Sequence, residues 1–173
     1  ALGRLRDTGA RLMIIGDGDP HQIRALKSLA KKEGVADRVA LLGYQDNPFA
    51  VLSRADLFVG ASRWEGASNA LIEALACGLP IVATDCPTGN REVIEASNCG
   101  TLAPVDDAEG LAVAIRMELG KKRPRDKQLA AAHNWSLNRC VESWITLLRD
   151  CLGNPADQHP TTFVGVRLIP WGR

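Results

Sequence analysis

The chain has 173 residues, 46% of them apolar and 24% charged, with a formal net charge of +1. That length suits one domain with a well-buried core and is short for two, and the balanced composition argues against a disordered or fibrous chain. With basic residues clustered only briefly, at Lys31-Lys32 and Lys121-Lys122-Arg123, no nucleic-acid-binding face is expected.

The five cysteines, Cys77, Cys86, Cys99, Cys140 and Cys151, are scattered and form no C-x-x-C pair. They read as reduced thiols of a cytoplasmic protein rather than a disulfide framework or zinc site. His21, His133 and His159 stand apart from any ligand spacing, so no metal is predicted. No apolar run approaches the ~20 residues of a membrane span. The opening A-L-G-R-L-R-D lacks both Met and the regions of a signal peptide, and reads as the start of a fragment.

In chain order, R-L-M-I-I-G (11–16) is a short apolar run closed by the turn Asp17-Gly18-Asp19-Pro20, which predicts a buried strand and a loop. A helix is expected over 21–33, where Ile23, Leu26, Leu29 and Ala30 recur at helical spacing ahead of Gly34. The run 38–43 repeats the strand pattern. A short helical piece over 48–55 then leads to a third strand at 56–61 (D-L-F-V-G-A). A helix over 67–77, a strand at 80–84, a helix over 90–96, a strand at 100–103 and a helix over 107–119 follow, the last capped by Asp106 or Asp107. Two more helices are predicted, at 124–133 and 136–152, the second with Cys140, Val141, Trp144, Ile145 and Leu148 on one side. Strands apolar on both faces and alternating with helices imply a doubly wound parallel α/β sheet. The domain is placed at 1–152, with 153–173 as linker and tail.

The segment from Ser62 to Gly78 carries the chemistry. In its helix, Ala67, Ala70, Leu71, Ala74 and Leu75 share the side that faces the sheet, while Asn69, Glu73 and Ala76 lie opposite. Glu73 is the lone charge of that helix and needs a partner or water, and two hydroxyls of a ribose would satisfy it. The preceding loop, W-E-G-A-S-N, supplies the small residues Gly66, Ala67 and Ser68 at a helix start, where free N–H groups and a partial positive charge suit a diphosphate. Glu65 would project from the carboxyl end of a strand, the edge at which ligands sit in such sheets. Two glutamates eight apart are weak evidence by spacing alone. Their strand–loop–helix setting is what gives them weight.

The run 55–85, A-D-L-F-V-G-A-S-R-W-E-G-A-S-N-A-L-I-E-A-L-A-C-G-L-P-I-V-A-T-D, resembles the signature of the retaining, glycogen-synthase-like (group 1, family 4) glycosyltransferases of GT-B fold, with its E-x7-E motif on Glu65 and Glu73. I-I-G-D-G (14–18), D-R-V-A-L-L-G (37–43) and P-T-G-N-R-E (87–92) extend the resemblance over about residues 10–150. It implies that Glu65, the catalytic candidate, contacts the donor sugar and Glu73 the ribose. The main chain of Ala67, Ser68, Asn69 and Ala70, next to Gly66, would hold the diphosphate. Gly43 and Tyr44 would hold the base, Gly16 and Gly18 would line the cleft, and Arg63 is a further candidate phosphate contact. The donor would be a UDP- or GDP-sugar, used as substrate without metal or other cofactor. The acceptor would be a glycan or lipid-linked, and transfer would retain the anomeric configuration. The family's Arg and Lys of a G-R…K-G region, and an N-terminal domain carrying the acceptor site, lie outside this sequence. On that reading the chain alone binds donor weakly and transfers poorly, and the whole enzyme admits peripheral membrane association. The rival readings are a sugar-nucleotide epimerase of the same architecture and a non-catalytic nucleotide-binding module.

Overall fold

A computed structural model describes residues 1–121 and 124–152. The chain divides into two units, Ala1–Trp135 and the part from Ser136 onward. The sequence-based span 1–152 thus comprises a first body and a separate final helix, while the tail assigned to 153–173 lies outside the described residues.

In the first unit, two single 3-10 turns, Leu2–Arg4 and Arg6–Thr8, precede β1 (Leu12–Ile15), α1 (Pro20–Lys32) and β2 (Val39–Gly43). Then come α2 (Phe49–Leu52), β3 (Phe58–Gly60), α3 (Asn69–Ala76), β4 (Ile81–Thr84), α4 (Asn90–Ser97), β5 (Gly100–Ala103), α5 (Ala108–Leu119) and α6 (Arg125–Ala132). All strand pairs are parallel. They form a two-stranded sheet β1-β2 and a three-stranded sheet β3-β4-β5. Each β-to-β connection runs through a helix, as a parallel pairing requires.

β4 is the centre of the core: Ile81, Val82 and Ala83 are each 0% exposed. Its alternating side chains feed two clusters. Ile81 and Ala83 pack with Leu71 and Leu75 of α3, Val93 and Ile94 of α4, and Cys99. Val82 packs with Ala103, with Ala112, Ala114 and Ile115 of α5, and with Leu5 of the N-terminal turns. Helices therefore cover both faces of this sheet, which is the doubly wound arrangement. Burying two faces of one strand is why Ile81, Val82 and Ala83 read as an unbroken apolar run ahead of Thr84.

The helix boundaries have local causes. Asp19 caps α1 by accepting from His21 N–H at 2.7 Å, with Pro20 at the first helical position, where its missing N–H costs nothing. Asp107, of the two candidate caps, is the one that caps α5, accepting from the N–H groups of Glu109 and Gly110. The α1 stripe is only partly used: Ala30 is buried, whereas Leu26 and Leu29 are exposed. In the second unit, α7 (Leu137–Leu152) carries Val141, Trp144, Ile145 and Leu148 on one strongly amphipathic helix with no buried residue. Among the described residues, no helix is long and apolar enough to cross a membrane.

Candidate functional site

The loops that follow β3, β4 and β5 lie at one edge of the three-stranded sheet, because the strands run parallel. Glu65 is in the first of these loops. Its carboxylate is half-buried and accepts from the Ser62 hydroxyl at 2.6 Å, one oxygen being held in this way. Ser62 is fixed in turn. The hydroxyl of Thr84, at the end of β4, donates to the Ser62 carbonyl, and Thr84 is only 4% exposed. The fully buried Asn90 braces the same point by donating from Nδ2 to the Thr84 carbonyl at 2.9 Å.

The loop after β4 completes the support. The hydroxyl of Thr88 donates to the Glu65 carbonyl. Gly89 has φ +83, and a Cβ there would stand 2.5 Å from the Gly66 carbonyl oxygen, so the two loops approach as closely as backbones can. The sequence marks Thr88 and Gly89 only as part of P-T-G-N-R-E (87–92), which extends the family resemblance, and does not reveal Ser62 and Thr84 as supports. Their bonds reach partners that no local pattern names.

α3 starts at Asn69, two residues later than expected, because Ala67 and Ser68 remain in the loop. The Asn69 N–H turns back to Ala67 and the Leu71 N–H to Ser68, while the Ser68 side chain makes no capping bond. Among the described residues, the N–H groups of Gly66, Ala67, Ser68 and Ala70 find no backbone acceptor. Gly66, Ala67, Asn69 and Ala70 are exposed. The helix start is thus open to an anion, with the dipole favouring one.

Glu73 is half-buried and forms no hydrogen bond or ion pair among the described residues. Its charge is felt one turn on. Burial pushes the Cys77 thiol up, the Glu73 carboxylate pushes it further, and Arg125 opposes both.

The turns after β1 and β2 form a second group. Gly16 N–H donates to the Gly43 carbonyl at 2.8 Å, and Tyr44 N–H to the Asp17 carboxylate at 3.0 Å. Gly16 and Gly43 both take positive φ (116 and 66), which suits glycine at these turns. The structure therefore joins Gly16, Asp17, Gly43 and Tyr44 to one another, and leaves the Tyr44 ring exposed. Arg63 is engaged elsewhere, its Nε donating to Asp106 at 2.8 Å.

A cavity of about 340 Å³, with none of the sequence-predicted site residues in its lining, lies beside Asp56, Leu79, Pro80, Glu118 and Arg125 near the amino ends of β3 and β4. Its buried Glu118 accepts from Thr101 and Lys121, which makes it a satisfied structural carboxylate. The amides of Gly66 to Ala70 and the Glu73 carboxylate instead lack hydrogen-bond partners among the described residues, apart from the turn made by Asn69. Among the described residues, no group of His, Cys, Asp and Glu could hold a metal ion.

Residues 1–120 match the sequence model of the family described as glycosyl transferases group 1. The chain belongs to the group 1 glycosyltransferases. An uncharacterised glycosyltransferase of Methanocaldococcus jannaschii, MJ1059, is 45% identical over 85 residues, covering 49% of this chain and 20% of that protein. A Campylobacter jejuni N-acetylgalactosamine-N,N'-diacetylbacillosaminyl-diphospho-undecaprenol 4-alpha-N-acetylgalactosaminyltransferase is 34% identical over 119 residues, covering 69% of this chain and 32% of that protein. This glycosyltransferase chain thus spans about a third or less of these two relatives.

Solved structures agree on the fold. The lipopolysaccharide galactosyltransferase WaaB, in its apo form, superposes with a TM-score of 0.72 at 21% identity, over 80% of this chain and 40% of that one. Anabaena HepE in complex with UDP gives a TM-score of 0.71 at 20% identity, over 85% and 42%. The fold is that of a Rossmann-like half of GT-B glycosyltransferases.

Proposed function

We propose that this group 1 glycosyltransferase chain binds the nucleotide-sugar donor, and that the whole enzyme transfers a hexose from a UDP- or GDP-sugar to a glycan or lipid-linked acceptor with retention of configuration. The observation that carries the reading is the pairing, on one short helix, of N–H groups at its start with a half-buried Glu73 one turn along, both without partners among the described residues. A nucleoside diphosphate offers what each lacks: phosphate oxygens for the amides of Gly66 to Ala70, and ribose hydroxyls for the carboxylate.

Glu65, with one oxygen held by Ser62, keeps the other for hydroxyls of the donor sugar and orients it. Gly43 and Tyr44 hold the base, while Gly16 and Gly18 line the cleft. As the glycosidic bond to the diphosphate breaks, negative charge grows on the leaving phosphate. Fixed amide dipoles stabilise that charge without having to reorganise, and no metal or other cofactor is invoked. The named activity of the Campylobacter relative supports a lipid-linked acceptor, and the UDP bound to HepE supports this donor class. A second domain of the same enzyme supplies the acceptor site, with the enzyme working in the cytoplasm or at the inner face of a membrane.

Calorimetric titration of the full-length protein with UDP- and GDP-sugars tests this reading. One series is expected to bind, and Glu73→Ala is expected to weaken it at least 10-fold, since a hydrogen bond to a charged group contributes about 1.5–3 kcal/mol. Absence of binding by either series, or unchanged affinity in the variant, would sink the donor-site assignment.

A further inference from the structure

The Glu65 loop is anchored from β4 and its following loop through Thr84 and Thr88, but one bond reaches further. Arg63 Nε donates to Asp106 Oδ1 at 2.8 Å. In the sheet order β3-β4-β5, this joins the loop after β3 to the loop after β5 and so spans the end of β4. Asp106 is a firm post for such a bond. Its φ of 59 lies in the left-handed region that non-glycine residues rarely enter, and the next residue, Asp107, is bonded into the first turn of α5. The bond and charge of Asp106 also raise the Arg63 pKa above its ordinary value.

We propose that Arg63 and Asp106 form a strap that holds the Glu65 loop in its donor-ready geometry, which makes Arg63 a positioning residue rather than a ligand of the diphosphate. The role in donor geometry rests on the donor-binding reading above. The two side chains are 66% and 63% exposed, and exposed pairs contribute little to global stability. The effect belongs instead to the order of residues 62–66, where a displacement of about 1 Å can cost up to ~100-fold in rate.

Backbone 15N relaxation of residues 62–66 in the wild type, Arg63→Ala, Arg63→Lys and Asp106→Asn tests the strap. Asparagine tolerates the same left-handed backbone, so Asp106→Asn removes the charge and keeps the turn. Order parameters are expected to fall from about 0.85 toward about 0.6 in Arg63→Ala and Asp106→Asn. Arg63→Lys, which keeps the charge, is expected to recover most of the loss. With donor, both disrupting variants should lose roughly 10-fold in kcat/KM, mostly through kcat. If Arg63 binds the diphosphate instead, Asp106→Asn frees it and tightens donor binding while Arg63→Ala weakens it. Those opposite signs would overturn the proposal, as would unchanged order parameters. Loss of order in the variants of a protein that binds no nucleotide sugar would leave the strap standing and remove the donor reading.

Discussion

Glu73 illustrates how one side chain can be read by its effect on another. The sequence shows a lone carboxylate on an apolar helix, and the structure leaves it without a partner among the described residues but close enough to Cys77 to act on it. Burial is the larger cause of the raised thiol pKa, and the carboxylate adds to it. The thiolate of Cys77 therefore forms only at higher pH than that of an ordinary thiol, and alkylation requires the thiolate. At neutral pH, iodoacetamide should label Cys77 more slowly than the exposed Cys140 and Cys151. Glu73→Gln removes a negative charge, which lowers the thiol pKa and speeds labelling at fixed pH, while burial keeps the midpoint above the ordinary value. Site-resolved mass spectrometry across a pH series checks both signs. A Cys77 midpoint that does not move in Glu73→Gln would place the carboxylate out of reach of the thiol.

Between elements, the site is two loops pressed together, and Gly89 is the point of closest approach. Alanine there would put its Cβ 2.5 Å from the Gly66 carbonyl and would hold a φ of +83 that side chains resist. Strain of this kind costs about 1–3 kcal/mol. Gly89→Ala should therefore lower the chemical-denaturation midpoint and weaken donor binding, because relief requires the Glu65–Gly66 backbone to move. A variant equal to wild type in both measurements would mean that the loops can part freely. Such contacts mark the limit of what the sequence discloses. β5 falls on residues 100–103 as read, and the other strands fall within two residues of their apolar runs, because β propensity and burial both act on consecutive side chains. The start of α3 was misplaced because small residues fit a loop or a helix equally well, and the choice is made by the Asn69-to-Ala67 turn. Ser62 with Thr84, Thr88 with Glu65 and Arg63 with Asp106 are 22, 23 and 43 residues apart, and no periodicity encodes such pairings. The open stripe of α1 is a related case: spacing identifies an apolar face but not what covers it.

At the scale of the molecule, the question is which part of the chain folds as a unit. Both core clusters lie within the first unit, and Ala131, Ala132 and Trp135 pack against the first of them, so the unit uses its chain to the last residue. α7 contributes no buried residue and displays Leu137, Trp144, Leu148 and Leu152. A chain ending at Trp135 should therefore keep one cooperative thermal transition. Its midpoint should shift by less than about 4 °C, the change expected from ~1 kcal/mol in a domain of this size. Removing the seven large exposed apolar side chains of α7 should also reduce self-association in sedimentation measurements. Loss of the cooperative transition would show that α7 belongs to the folding unit, whereas a preserved transition with tighter monodispersity would locate the independent fold in Ala1–Trp135 and make α7 an appendage with an apolar face to cover.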